Sequence, residues 1–244
     1  MKSLLKMGMA AGLMAVVSGC APEYYVPNAH NVPVLQRRGD ATLSGHLNSF
    51  GVELQGAYAI GEHIGVMLNG AGGRQTSDED SVELGEGKFV EAGFGYYRNL
   101  SSRIVWETYA LLGVGRIAND LRLDPSVSPP PERRIEATFV RYGIQPSLTL
   151  HSRHFDASAS VRLAGLRYSN VSGNLFFGGT DQVAYLDSLG TQFLIEPAFT
   201  VRAGWDPVKV VFQLGRSSNQ TTPDFRQIEG IAALGVVYSH RRRQ

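Results

Sequence analysis

One cysteine, Cys20, stands in a chain of 244 residues. An internal disulfide is therefore excluded, and so is a cysteine cage for zinc or an iron–sulfur cluster. Charge of either sign is also missing as a surplus: 23 Lys and Arg stand against 22 Asp and Glu. That balance points neither to nucleic acid nor to an acidic solvating tail. Charged residues make up only 18% of the chain and hydrophobic ones 43%, which excludes disorder, and the length suits one large domain or at most two small ones. No apolar stretch reaches the roughly 20 residues of a membrane-spanning helix. The longest, residues 7–17 (MGMAAGLMAVV), has eleven.

That short run has another reading. Lys2 and Lys6 precede it and the small residues Ser18 and Gly19 follow, the layout of a cleaved export signal over residues 1–19. Val17-Ser18-Gly19-Cys20 resembles the bacterial lipobox. The resemblance implies cleavage before Cys20, acylation of its sulfur and new amino terminus, and, with Ala21 next, sorting to the outer membrane. Each buried CH₂ contributes about 0.8 kcal/mol to anchoring, so two or three acyl chains hold a protein on a membrane essentially permanently. Residues 20–39 carry prolines at 22, 27 and 33 without a clean period, and read as a lipidated periplasmic tether.

From residue 40 to about 240 the sequence alternates with a period of two. Val52, Leu54, Gly56, Tyr58 and Ile60 share one face against Glu53, Gln55, Ala57 and Ala59. The stretch 134–150 does the same, with Val140, Tyr142, Ile144 and Leu148 opposed to Arg141, Gly143 and Gln145. Ten such segments are counted, at about 41–48, 51–60, 63–72, 88–98, 103–117, 134–150, 155–169, 191–203, 208–216 and 227–239. Short and long connections alternate between them, the long ones at roughly 73–87, 118–133, 170–190 and 217–226, with the first hairpin at Asn48 to Gly51 as the one short exception. The prediction is an all-β, antiparallel, up-and-down transmembrane β-barrel of about ten strands. An even count returns the C-terminus to the tight-turn, periplasmic rim, where the N-terminus is also expected. Tyr58, Tyr96, Tyr97, Trp106, Phe155, Trp205 and Tyr238 lie near short turns or the chain end and suggest an aromatic girdle there.

The inward face carries Glu53, Glu91, Glu107 and Glu196 against Arg141, Arg162, Arg202 and Lys209, with Gln55, Asn69, Gln145 and Gln213 among them. Unpaired charges in a narrow lumen cost several kcal/mol each, so matched signs predict a cross-barrel ion-pair network in a lumen filled by side chains. Gly93-Phe94-Gly95 and Gly113-Val114-Gly115 sit inside alternating strands with no helix to follow, which excludes a dinucleotide loop; interior glycines make room for large neighbours instead. No histidine pairs with a serine or aspartate on the long-loop rim, so no catalytic constellation, cofactor or metal is expected. Ser77-Asp78-Glu79-Asp80 lacks a calcium-loop frame and reads as a solvated charge run. Leu175, Phe176 and Phe177, in the loop at 170–190, are the candidate contact residues, unless that loop folds over the barrel mouth.

Tyr24-Tyr25-Val26-Pro27, Asn31-Val32-Pro33 and the strand pair GVELQGAYAIGEHIGVMLNG (residues 51–70) resemble the outer-membrane β-barrel lipoproteins of Gram-negative bacteria. The resemblance spans roughly residues 20–240 and transfers no catalytic residue. It implies an integral outer-membrane protein whose partners are outer-membrane lipid, the barrel-insertion machinery and an unidentified ligand of the extracellular loops. The chain departs from that pattern after Tyr238, where many such barrels end on an aromatic and this one continues Ser-His-Arg-Arg-Arg-Gln. This basic tail is expected against anionic lipid head groups. Two other functions fit the alternation: a narrow transport or substrate-binding barrel, and a lipid-anchored soluble periplasmic barrel with its apolar face turned inward around an apolar ligand.

Overall fold

The computed structural model describes residues 22–75, 83–121 and 133–241. The export signal, Cys20 and the run Ser77-Asp78-Glu79-Asp80 lie outside the described residues. Ten strands form the barrel: β1 (Ala41–Asn48), β2 (Gly51–Ala59), β3 (Ile64–Gln75), β4 (Glu83–Asn99), β5 (Ile104–Leu121), β6 (Arg134–His151), β7 (Phe155–Gly173), β8 (Gln192–Trp205), β9 (Val208–Arg216) and β10 (Gly230–His240). Each pairs antiparallel with its sequence neighbours, and β1 closes the ring on β10 with Ala41 opposite His240. Closure gives each of these ten strands a paired neighbour on both sides.

The side-chain period of two decides which face meets which medium. Leu47, Leu54, Leu68, Leu112 and Val114 point outward and are each at least 60% exposed, while the polar residues between them are buried. The soluble alternative, with the apolar face turned inward, is thereby overturned. Several strands outrun the sequence reading on the long-loop side: β4 starts at Glu83 instead of 88, β5 runs to Leu121 instead of 117, and β7 runs to Gly173. Hydrophobic alternation is weak in these extensions, which hold Gly85, Glu86, Gly87, Asn119, Asp120, Asn170 and Ser172. The predicted loop at 170–190 is in part strand, and it also holds the helix α1 (Gln182–Ser188), capped by the Asp181 carboxylate accepting from the Val183 and Ala184 N–H groups.

One interior glycine positions the polar site. Gly113 of β5 lies in register between Glu91 of β4 and Arg141 of β6, and a side chain there would run into the Phe89 ring and Glu91. Its bare backbone lets Arg141 reach across a whole strand to Glu91. Gly113→Leu should therefore both overpack the lumen and block that ion pair, at about 1–3 kcal/mol for the overpacking alone. The check is the denaturant midpoint of the compact, unboiled gel band. Gly70→Ala, where nothing lies within 4 Å, should leave it unchanged.

Candidate functional site: a threaded lumen

The largest departure from the sequence reading concerns residues 22–39. They are not a free tether. Tyr24, Tyr25, Ala29, His30, Asn31, Val32 and Leu35 are all at most 4% exposed, and the segment runs through the lumen from one rim to the other. The lumen is accordingly filled by a length of main chain held among side chains, and not by side chains alone. Periodicity could not reveal this, because a segment bonded mainly through its backbone needs no period of its own.

At the long-loop rim the segment is clamped as an added strand. The Tyr24 N–H donates to the Arg226 carbonyl (2.9 Å), Tyr25 bridges in parallel to Gln227, and the Ile228 N–H donates to the Tyr25 carbonyl (2.9 Å). The Tyr24 hydroxyl donates to Gln182 Oε1 of α1 (2.8 Å), and Asn119 Nδ2 donates to the Glu23 carbonyl (2.9 Å). Leu175, Leu186, Leu194, Tyr168 and Phe225 bury the two tyrosines in one apolar cluster.

In the middle, luminal side chains take the place of neighbouring strands. Gln213 accepts from the His30 N–H (2.6 Å) and donates to the His30 carbonyl (3.1 Å), as a β-ladder partner would. Gln55 donates to the Ala29 carbonyl (2.9 Å) and Gln145 to the Asn31 carbonyl (2.8 Å). His30 Nδ1 hydrogen-bonds Ser160 Oγ (2.7 Å), and Asn31 Nδ2 donates to Asn69 Oδ1 (2.8 Å).

All eight luminal charges named from the alternation are at most 6% exposed. They do not form a simple set of ion pairs. Arg141 pairs with Glu91 (2.8 Å), stacks over the Phe89 ring at 4.3 Å, and donates to the Tyr25 hydroxyl and Asn28 Oδ1 (2.7 Å each). Arg162 pairs with Glu196 directly opposite it (2.5 Å) and donates to the Asn28 carbonyl (3.0 Å). Lys209 pairs with Asp156 (3.0 Å), a buried acid that the alternation also turned inward but the sequence reading passed over.

Among the described residues, Glu53 and Glu107 have no basic side chain within salt-bridge distance, and the threaded backbone answers them. The Ala29 N–H donates to both Glu53 oxygens (3.0 Å each), and Asn48 Nδ2 adds a bond of 2.6 Å. Consecutive N–H groups of Val34 and Leu35 donate to the two Glu107 oxygens (2.9 and 3.1 Å). Two successive amides aimed at one anion form a nest, which requires an unusual backbone turn. Val34 has φ 61°, in the left-handed region that a β-branched residue enters only under constraint. Arg202 donates to the Val32 carbonyl, while its Nε is buried with no hydrogen-bond partner among the described residues.

At the short-turn rim, Arg241 donates to the Val34 carbonyl (3.1 Å) and faces Asp40 at 3.6 Å. This first arginine of the basic tail binds the threaded segment at the rim and not lipid head groups; Arg242 and Arg243 lie outside the described residues. Tyr97 is likewise not part of a girdle: it is fully buried and its hydroxyl donates to the Gly61 carbonyl (2.6 Å). Tyr58, Trp106, Phe155, Trp205 and Tyr238 do face outward near this rim. The three loop contact candidates separate as well. Leu175 is buried, Phe177 lies under the Arg226 guanidinium at 4.6 Å, and Phe176 stays 57% exposed. The loop folds over the mouth because Leu175 packs into the cluster around the two threaded tyrosines. Among the described residues no three His, Cys, Asp or Glu side chains converge to hold a metal ion.

The chain matches no protein-family model and no curated protein. Among solved structures it is similar to a major outer membrane protein from Thermus thermophilus, with a TM-score of 0.42 and 12% identity over 83% of this chain and 99% of that one. It is also similar to Ail, the attachment invasion locus protein of Yersinia pestis, with a TM-score of 0.32 and 14% identity over 83% of this chain and 99% of that one.

Proposed function

We infer that this chain is an integral outer-membrane β-barrel, held in addition by acyl chains on Cys20, closed by its own N-terminal segment, and acting through contacts of its long-loop rim without catalysis. The observation that carries this reading is the inversion of polarity across the wall. Large apolar side chains cover the outside while Arg141, Arg162, Glu91 and Glu196 are fully buried inside, an arrangement suited to lipid outside and to a polar interior. In water the same exterior would be an apolar belt far larger than soluble proteins tolerate. The partners in this reading are outer-membrane lipid, the machinery that inserts barrels, and a surface ligand met by side chains such as Phe176. The end of β10, where Tyr238 faces outward two residues before the strand stops, supplies the aromatic C-terminal strand such machinery would engage.

A transport role is disfavoured by the threaded segment, which occupies the path a solute would take. The test of the main reading is carbonate extraction of membranes carrying Cys20→Ser. The barrel alone should keep the variant in the outer-membrane pellet, migrating faster unboiled than boiled. Release into the soluble fraction would overturn the reading.

A further inference from the structure

The direction of threading has a consequence for where the N-terminus lies. β1 begins at the short-turn rim, beside the end of β10. From Asp40 back to Pro22 the chain climbs the whole lumen, passing Glu107 near the bottom of β5, then Gln213 and Glu53, and reaching Gln182, Asn119 and Arg226 at the long-loop rim. Residue 22 is thus at the rim opposite to the start of β1. In sequence Cys20 is two residues from Pro22, and an extended residue spans at most about 3.6 Å, so the chain between them is at most about 7 Å long, too short to span the lumen.

We propose that the N-terminus is displayed on the outer, long-loop side of the barrel, with the acyl chains of Cys20 in the outer leaflet, the reverse of a periplasmic tether. This rests on the reading of the chain as a membrane barrel with its long loops outside. It also sets the order of assembly: a lipid-bearing end cannot be drawn through a filled ring, so the strands must close around the segment.

Three single-cysteine additions test it on whole cells with a membrane-impermeant maleimide, against the parent protein, whose acylated Cys20 should not react. Val26→Cys sits toward the upper end of the segment at a site 40% exposed, Arg38→Cys is exposed at the opposite rim, and Phe176→Cys reports the long loops. Val26→Cys and Phe176→Cys should label on intact cells, and Arg38→Cys only after the outer membrane is permeabilised. Labelling of Phe176→Cys but not Val26→Cys on intact cells, with Val26→Cys reacting after permeabilisation, would overturn the threading direction. Failure of Phe176→Cys itself on intact cells would instead overturn the outward placement of the long loops. A site-specific protease sequence inserted between Ala21 and Pro22 gives a second readout: cleavage on intact cells supports the proposal, and cleavage only after permeabilisation refutes it.

Discussion

Arg141→Ala should lower the stability of the barrel by about 3–5 kcal/mol, the cost of leaving a buried charge without its partner. Glu91 would keep a buried carboxylate with only Asn69 Nδ2 donating to it at 3.1 Å. The Tyr25 hydroxyl and Asn28 Oδ1 would lose their guanidinium donors as well, so the threaded segment loosens together with the wall. The measurement is the urea midpoint of the unboiled compact form, followed by gel shift in detergent or lipid. A double variant, Arg141→Leu with Glu91→Leu, removes both charges and should recover most of the loss. The remainder of the effect, roughly 1 kcal/mol, is the desolvation of Asn28 Oδ1, which loses its donor, while the Tyr25 hydroxyl still donates to Glu196 Oε1 (2.9 Å). A single variant that unfolds at the parent midpoint would show that the pair carries no net stability and that the lumen is wetter than its burial implies.

Deleting residues 22–36 should turn a closed barrel into a conducting one. The lumen holds an extended main chain together with two tyrosine side chains, so its removal leaves a continuous path for water. Planar-bilayer recordings of the parent should show no unitary steps, and the deletion variant should show them. Their selectivity follows from the groups the segment satisfies. Glu53 and Glu107 would lose their backbone donors and Arg202 its carbonyl acceptor, leaving two carboxylates without a basic partner against one guanidinium. A cation preference is expected in the reversal potential under a salt gradient. Absence of steps in a variant that still shows the heat-dependent gel shift would mean the long-loop cap, with Leu175 and Phe225 at its centre, closes the barrel without the segment.

The barrel was legible because its signal is local. Alternation over residues 51–60 and 134–150 places Val52, Leu54, Val140 and Tyr142 outside and Glu53, Gln55, Arg141 and Gln145 inside, whatever the rest of the chain does. Strand order followed from short turns joining neighbours. What alternation could not supply was the partner of each inward charge. Glu91 and Arg141 are 50 residues apart and meet only because Gly113 stands between them. Glu53 and Glu107 pair with no base among the described residues: their partners are amides of Ala29, Val34 and Leu35, and a backbone amide leaves no trace in residue type. Prolines at 22, 27 and 33 correctly signalled an extended segment, yet extended backbone suits a solvated tether and a threaded lumen equally well.

By itself the sequence determined the ten-strand antiparallel wall, the faces of its strands and, after the short first hairpin, the alternation of short and long connections. Each of these depends on the period of two and on turns between adjacent segments, both written within a few residues. Only the tertiary structure decided that residues 22–39 run inside the ring and that two glutamates bind main chain instead of arginine. It likewise decided that Tyr97 and Leu175 turn inward and that the threaded segment reaches the long-loop rim at Tyr24. Those outcomes depend on ring closure, which brings side chains of many strands around one axis and creates a polar interior that some part of the chain must satisfy.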